Sequence, residues 1–351
     1  MRKNIVPNPY LFSYLGTKKG NALATGSGYG KVILFGEHFV VYGLPAIASA
    51  IADSTVADVV RSGDRKGRSG GPKPGVFVMR GDGWTLHDTR PETPGYKTEK
   101  AEEQKKSIDL MLAFLKVDTK KTPLDIQLGG ELKAASGVGA SAASCAAIAR
   151  ALSGLLGLKL TDARVNEVAH EGEKGYHGTP SGIDDTAATY GGLFLFKKAQ
   201  PKNIVELIRT EKTLEIVMGN TGMTASTSEV VAGVRERKSK DPQKFERLFK
   251  EAESLVMDSR KALEAGDIPG IGGLMNLNHR LLQDIGVSND KLETLIAIAR
   301  KEGAPGAKIT GTGKGGYMVA LTPGKKLQEK VAKAMEKAGF AALRTSIGGR
   351  M

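Results

Sequence analysis

The chain has 351 residues, 40% hydrophobic, 25% charged and 5% aromatic, with a formal net charge of +13, which describes a globular protein with core enough for two domains. No apolar run reaches the roughly 18 residues of a membrane span, so no membrane partner is expected, and the single cysteine, Cys145, excludes an intrachain disulfide and suits a reducing, cytoplasmic setting. The basic residues scatter without interleaved aromatics, which disfavours nucleic acid as a partner and leaves polyanionic small molecules as the match for the charge.

Residues 1–26 carry basic and hydroxyl side chains broken by Pro7 and Pro9, and read as an extended arm faintly similar to a transit peptide. Residues 29–35 form a buried strand interrupted by one cation, Lys31, and 40–42 and 54–60 continue strand-like. Clustered Gly, Ser, Pro and charge at 62–75 mark an exposed loop. Ile108, Met111, Leu112 and Leu115 follow helical spacing over 104–116, and 124–128 alternates as a strand. A glycine-rich turn, Ala135-Ser-Gly-Val-Gly-Ala-Ser141, then opens an alanine-rich helix over 141–156. Thr161 is the N-cap of a helix whose stripe is Val165, Val168, Ala169 and Gly172. A short strand at 193–196 leads to a boundary at 197–202. The second half carries helices near 224–238, 242–265, 268–284 and 288–302, and strands near 214–219, 316–321 and 341–347. Helices and strands mix without regular βαβ repetition, which predicts an α+β protein.

The glycine turn is the first place to look for chemistry. A helix start offers unpaired N–H groups and partial positive charge, and Gly137 and Gly139 let main chain approach a bulky anion such as phosphate. Tight packing is the plainer alternative. Glu173 extends the buried stripe into the last turn of its helix, where a carboxylate needs a cation or several donors. With the Ser141 hydroxyl it would suit magnesium, a hard ion that prefers oxygen. Asp184 follows a Pro-Ser-Gly turn beside Asp185, and serves either as turn chemistry or as a base for a substrate hydroxyl. Lys31 would be satisfied by pairing with Asp184 across a cleft. Glu37 and His38 close the first strand, as structural groups or as substrate contacts. Gly311, Gly313, Gly315 and Gly316, following Lys308, form either a tight hairpin or a close backbone approach to a ligand.

In order and spacing these clusters resemble the GHMP superfamily of small-molecule kinases, named for galactose, homoserine, mevalonate and phosphomevalonate. Lys31-Val-Ile-Leu-Phe-Gly-Glu-His-Phe-Val-Val-Tyr-Gly43 resembles the first family motif, in the form found in members acting on mevalonate. His177-Gly-Thr-Pro-Ser-Gly-Ile-Asp184 resembles the family's His-Gly-x-Pro-Ser-Gly-x-Asp segment, with Glu173 at the family's spacing before it. The resemblance implies a two-domain α+β fold with the site between domains: a ribosomal-protein-S5-domain-2-like part over 1–200 and a ferredoxin-like part over 201–351. It implies transfer of the ATP γ-phosphoryl to the 5-hydroxyl of mevalonate. Another kinase of the superfamily is the near alternative, and a non-catalytic basic nucleic-acid binder the one from a different class. ATP and mevalonate are then the partners and Mg2+ the metal, with a homodimer left open.

Carried over residue by residue, Asp184 and Lys31 are catalytic, and Ser141 and Glu173 hold the metal. Ser136, Gly137, Val138, Gly139, Ala140, Ser141 and Ala142 take the triphosphate. Glu37, His38, Ser226, Thr227, Gly311 and Thr312 fall on the substrate side. The chain departs from the family in Ala134 where proline is usual, in Gly139-Ala140-Ser141 for Gly-Ser-Ser, in Asp185 for asparagine, and in Thr312 and Lys314 among the glycines.

Overall fold

The computed structural model describes residues 23–63, 76–135, 137–200 and 202–348; residues 1–22 of the expected arm, most of the 62–75 loop and Ser136 lie outside them. Strand β1 (Ala24–Phe35) runs antiparallel to β2 (Ala46–Arg61), pairing from Ala24↔Val59 onward, so residues 24–26 belong to the sheet rather than to an arm. Residues 40–42, expected as strand, lie in a 3-10 turn over Phe39–Tyr42. The Val40 N–H turns back onto the Gly36 carbonyl (3.1 Å), and Phe39 and Val40 are buried in the core instead of entering a ladder.

The first half continues with β3 (Phe77–Gly81), β4 (Trp84–Asp88), α1 (Tyr96–Glu99), α2 (Ala101–Phe114), β5 (Leu124–Gly130), α3 (Ala140–Leu156), α4 (Asp162–His177), α5 (Ile183–Tyr190), β6 (Leu193–Lys197) and β7 (Ile204–Ile208). The sheet order is β3-β4-β5-β2-β6-β7, with β1 also on β2, and every pair is antiparallel except β4–β5. Thr161 caps α4 as expected, accepting the Arg164 N–H at 3.3 Å. β7 folds back on β6, so the first sheet runs to Ile208, and the expected division at 200/201 falls inside that hairpin's connection.

The second half contains β8 (Thr213–Asn220), α6 (Thr227–Lys240), α7 (Pro242–Ala265), α8 (Ile268–Asp284), α9 (Asp290–Lys301), β9 (Gly306–Ile309), β10 (Tyr317–Leu321), α10 (Lys325–Lys337) and β11 (Ala341–Gly348). Its antiparallel order β11-β8-β10-β9 is that of a ferredoxin-like sheet, the last strand beside the first. One hydrophobic cluster joins Val32, Phe35 and Ile47 of the first sheet to Met218 and Val319 of the second. Another fills the space between the first sheet and α2, α3 and α4, around Leu86, Ile126, Leu152 and Val168. The halves therefore share an interior, and the loops at their junction are held from both sides.

Helix α3 lies on β1 so closely that a Cβ at Gly28 would sit 2.2 Å from the Ala143 carbonyl oxygen. Backbone cannot give way as a flexible side chain can. Gly28→Ala is therefore expected to destabilise the protein by about 1–3 kcal/mol, read as a lower urea midpoint at unchanged slope; an unchanged midpoint would contradict the packing.

Candidate active site

Lys31 owes its position to an irregular strand. The β1–β2 register shifts between Tyr29 and Lys31, a bulge that re-aims the side chain. The Lys31 N–H instead donates to the Val138 carbonyl at 2.8 Å, tying β1 to the glycine loop. Its Nζ lies 2.9 Å from Asp184 Oδ1, with the lysine side chain 8% exposed and the aspartate 30%. The expected pair is formed.

Each partner is placed by a glycine with positive φ. Gly139 (φ 72°) is the N-cap of α3, and a Cβ there would come within 3.1 Å of the Lys31 Cβ. Gly182 (φ 92°) caps α5, so Asp184 falls in that helix's first turn, where the dipole favours a carboxylate. The start of α3, the Lys31 cation and Asp184 are thus neighbours.

Glu173 is buried on the face of α4 that carries Val165 and Ala169. Burial first, then the like charge of Asp184, lift its pKa from 4.5 to about 8, against the pull of the Ser141 hydroxyl. Its Oε1 has no hydrogen-bond partner in the protein. An orphaned carboxylate oxygen next to a hydroxyl is a hard donor set, and it fits magnesium. Among the described residues no group of three or more His, Cys, Asp or Glu could cage an ion alone. Asp185 is turned to α4, its Oδ2 3.1 Å from His170 Nδ1 and 3.4 Å from Asn166 Nδ2.

Glu37 has a different surrounding from the one expected. It is 1% exposed, ion-paired with the equally buried Lys308, and within 3.3 Å of Asn278 Nδ2. Its carboxylate is thus spent joining the end of β1 to α8 and β9 and is not open to a ligand. Thr310 makes a second stitch, its hydroxyl donating to the Ile33 carbonyl (2.8 Å) and accepting the Ile33 N–H (3.1 Å). Neither Asn278 nor the partner role of Lys308 was legible in advance. The one available signal was a lysine inside the apolar strand Gly306–Ile309, the same anomaly that marks Lys31.

His38 is held at φ 61°, rarely adopted by residues with a Cβ, and its Nε2 lies 2.6 Å from the Thr312 carbonyl. A carbonyl only accepts, so the proton sits on Nε2, and burial lowers the pKa to keep the ring neutral. The Thr312 hydroxyl is 2.9 Å from that of Thr227, which brings His38, Thr227 and Thr312 into one polar edge. Gly311 (φ 79°) precedes it with open space on its Cβ side. Ser226 is instead an exposed N-cap of α6, accepting the Glu229 N–H at 3.4 Å. Lys314 is exposed, its N–H on the Val287 carbonyl at 2.7 Å.

Two family models match the chain: the GHMP kinases N terminal domain over residues 105–192 and the GHMP kinases C terminal over 259–341. A mevalonate kinase of Pyrococcus horikoshii is 37% identical over 327 residues, 90% of this chain and 93% of the relative. The crystal structure of L. major mevalonate kinase in complex with R-mevalonate superposes with a TM-score of 0.85 at 40% identity, covering 94% of this chain and 97% of that one. The Methanococcus jannaschii mevalonate kinase, at 21% identity, TM-score 0.71 and coverages of 95% and 100%, agrees in fold alone.

The raised Glu173 pKa makes a test of the metal corner. The unfolded carboxyl ionises near 4.5, whereas the folded one keeps its proton to about 8. Between those values the folded state binds more protons, so its stability falls as pH rises. Metal-free protein is expected to lose melting temperature from pH 5 to pH 8 relative to Glu173→Gln, and magnesium with nucleotide to restore it in the parent only. Parallel melting curves for the two proteins would contradict the assignment.

Proposed function

The chain belongs to the GHMP kinase family, among its mevalonate kinases, and from that premise we propose that it transfers the γ-phosphoryl of ATP to the 5-hydroxyl of mevalonate, releasing ADP and 5-phosphomevalonate. The observation that carries the reading is the 2.9 Å Lys31–Asp184 pair set against the glycine-loop start of α3. It puts an acceptor for a hydroxyl proton, a cation and a row of backbone N–H donors within one corner.

In this reading the triphosphate lies along residues 137–142, held by main-chain N–H groups and the α3 dipole. Magnesium, with Ser141 and Glu173 as its protein ligands, neutralises charge on the phosphates when bound. Asp184 orients the alcohol and takes its proton as the oxygen bonds to the γ-phosphorus, while the bond from that phosphorus to the bridging oxygen breaks and ADP leaves. Lys31 holds the Asp184 carboxylate in place through their 2.9 Å contact and meets negative charge on the transferring group during the step. Phosphoryl transfer demands little covalent chemistry of the protein, so positioning and charge dominate. The His38–Thr312–Thr227 edge lies on the side of the alcohol, with Nε2–H of neutral His38 held by the Thr312 carbonyl and Nδ1 left as an acceptor. Glu37 serves from behind, anchoring the chain next to His38 through its pair with Lys308.

The single cysteine, buried and unpaired, suits the cytoplasm as its compartment. Among the described residues no helix is long and apolar enough to cross a membrane. A nucleic-acid binder would have no use for Glu173 and Asp184, two carboxylates at the centre of the proposed site.

Coupled ADP release is the direct assay. The protein is expected to turn over mevalonate in preference to phosphomevalonate or galactose, and Asp184→Asn to lower kcat by about a hundredfold or more with an unchanged far-UV spectrum. Near-parental turnover by the folded variant would remove Asp184 from the chemistry, and a preference for another alcohol would reassign the substrate.

A further inference from the structure

Beneath the first turn of α3 lies a guanidinium that the proposed chemistry does not use. Arg90 is 6% exposed. Asp88 grips it twice, Oδ1 accepting from Nε at 3.0 Å and Oδ2 from Nη2 at 2.7 Å. The third nitrogen, Nη1, donates to the Ser144 hydroxyl at 2.6 Å, and to the Ala140 carbonyl and Thr55 hydroxyl at 3.3 Å each. Ser144 in turn donates to the Ala140 carbonyl at 2.8 Å, so Arg90 holds the exit of the glycine loop by two linked bonds.

The same segment holds the loop's entrance. The Ala134 N–H donates to the Pro91 carbonyl at 2.7 Å, and the Thr93 N–H to the Ala134 carbonyl at 3.0 Å. Lys97 Nζ locks the segment by donating to the Arg90 carbonyl at 2.6 Å and the Asp88 carbonyl at 3.2 Å. Both ends of the loop are thus fastened to residues 88–97.

Arg90 and Lys97 are two buried cations facing one buried carboxylate, Asp88. Burying charge in this way is a poor source of stability, since apolar side chains of like volume do as well or better. What apolar packing cannot supply is a set of directed bonds on both ends of a loop, and a cation under a helix start.

We propose that Arg90 is a positioning residue for the nucleotide. Without touching ATP, it holds residues 137–142 in the shape that turns their N–H groups to the triphosphate, and with Lys97 adds positive charge beneath them. The proposal rests on the phosphotransferase reading above.

Two variants test it. Arg90→Lys keeps the charge and loses the planar fork; Ser144→Ala keeps Arg90 and removes one of its holds on α3. ATP and mevalonate are titrated separately by calorimetry, alongside steady-state KM for each. The expected result is a rise in the ATP Kd and KM of about tenfold for Arg90→Lys and about threefold for Ser144→Ala, with mevalonate binding unchanged. A purely structural Arg90 would weaken both substrates together or neither, and either outcome in folded protein overturns the proposal. Should Arg90→Lys fail to fold, Ser144→Ala decides alone. Parental protein that binds no ATP would sink the phosphotransferase reading itself, a result separable from any effect of the variants.

Discussion

A lysine buried in a strand must find an anion, and the arrangement of this molecule follows from how Lys31 meets Asp184. The register shift in β1 just before the lysine, which stays opposite Ala50, sends its N–H to the glycine loop, and Gly139 keeps the start of α3 bare enough to lie against it. Gly182 starts α5 where its first-turn carboxylate can reach across. None of these features makes sense alone. A straight β1 would bury the cation unpaired, and a side chain at 139 would push away the donors that an incoming polyanion needs.

Around that pair the charges are set against one another. Glu173 is pushed toward its neutral form by burial and by Asp184, a cost that a divalent cation would offset on binding. Glu173 therefore discriminates between states of the site: it favours its proton without a ligand and would be ionised and satisfied with a cation. Glu37 and Lys308 work differently. Both are fully buried and paired to each other, so they join the end of β1 to the second sheet, while the neighbouring His38 is held by the Thr312 carbonyl. Removing one would strand the other's charge, a far greater penalty than losing the pair's own attraction.

How much of this was legible depended on locality. Lys31 stood out because a cation in an apolar strand is anomalous, and Glu173 because a carboxylate at the end of an apolar stripe is. Their roles, however, came from the family motif rather than from period or spacing. The 3-10 turn at Phe39–Tyr42 was misread because β-branched, apolar residues favour strand wherever no ladder partner can be checked. β7 was missed because it is an edge strand with Ile204, Val205 and Leu207 exposed, so it lacks the alternation that marks a half-buried one. The Glu37–Lys308 pair spans a separation of 271 residues, and the Arg90 brace depends on how residues 88–97 cross under a helix. Neither leaves a periodic trace in the chain.

Acting as one unit is the central property claimed for Lys31 and Asp184, and a double-mutant cycle on kcat measures it most directly. Lys31→Met, Asp184→Asn and the double variant are compared with the parent under saturating ATP and mevalonate. If the two side chains work together, the double variant is slower than the worse single one by no more than about threefold. Losses that multiply in the double variant would mean that the two act independently, and that their contact is not what organises the site.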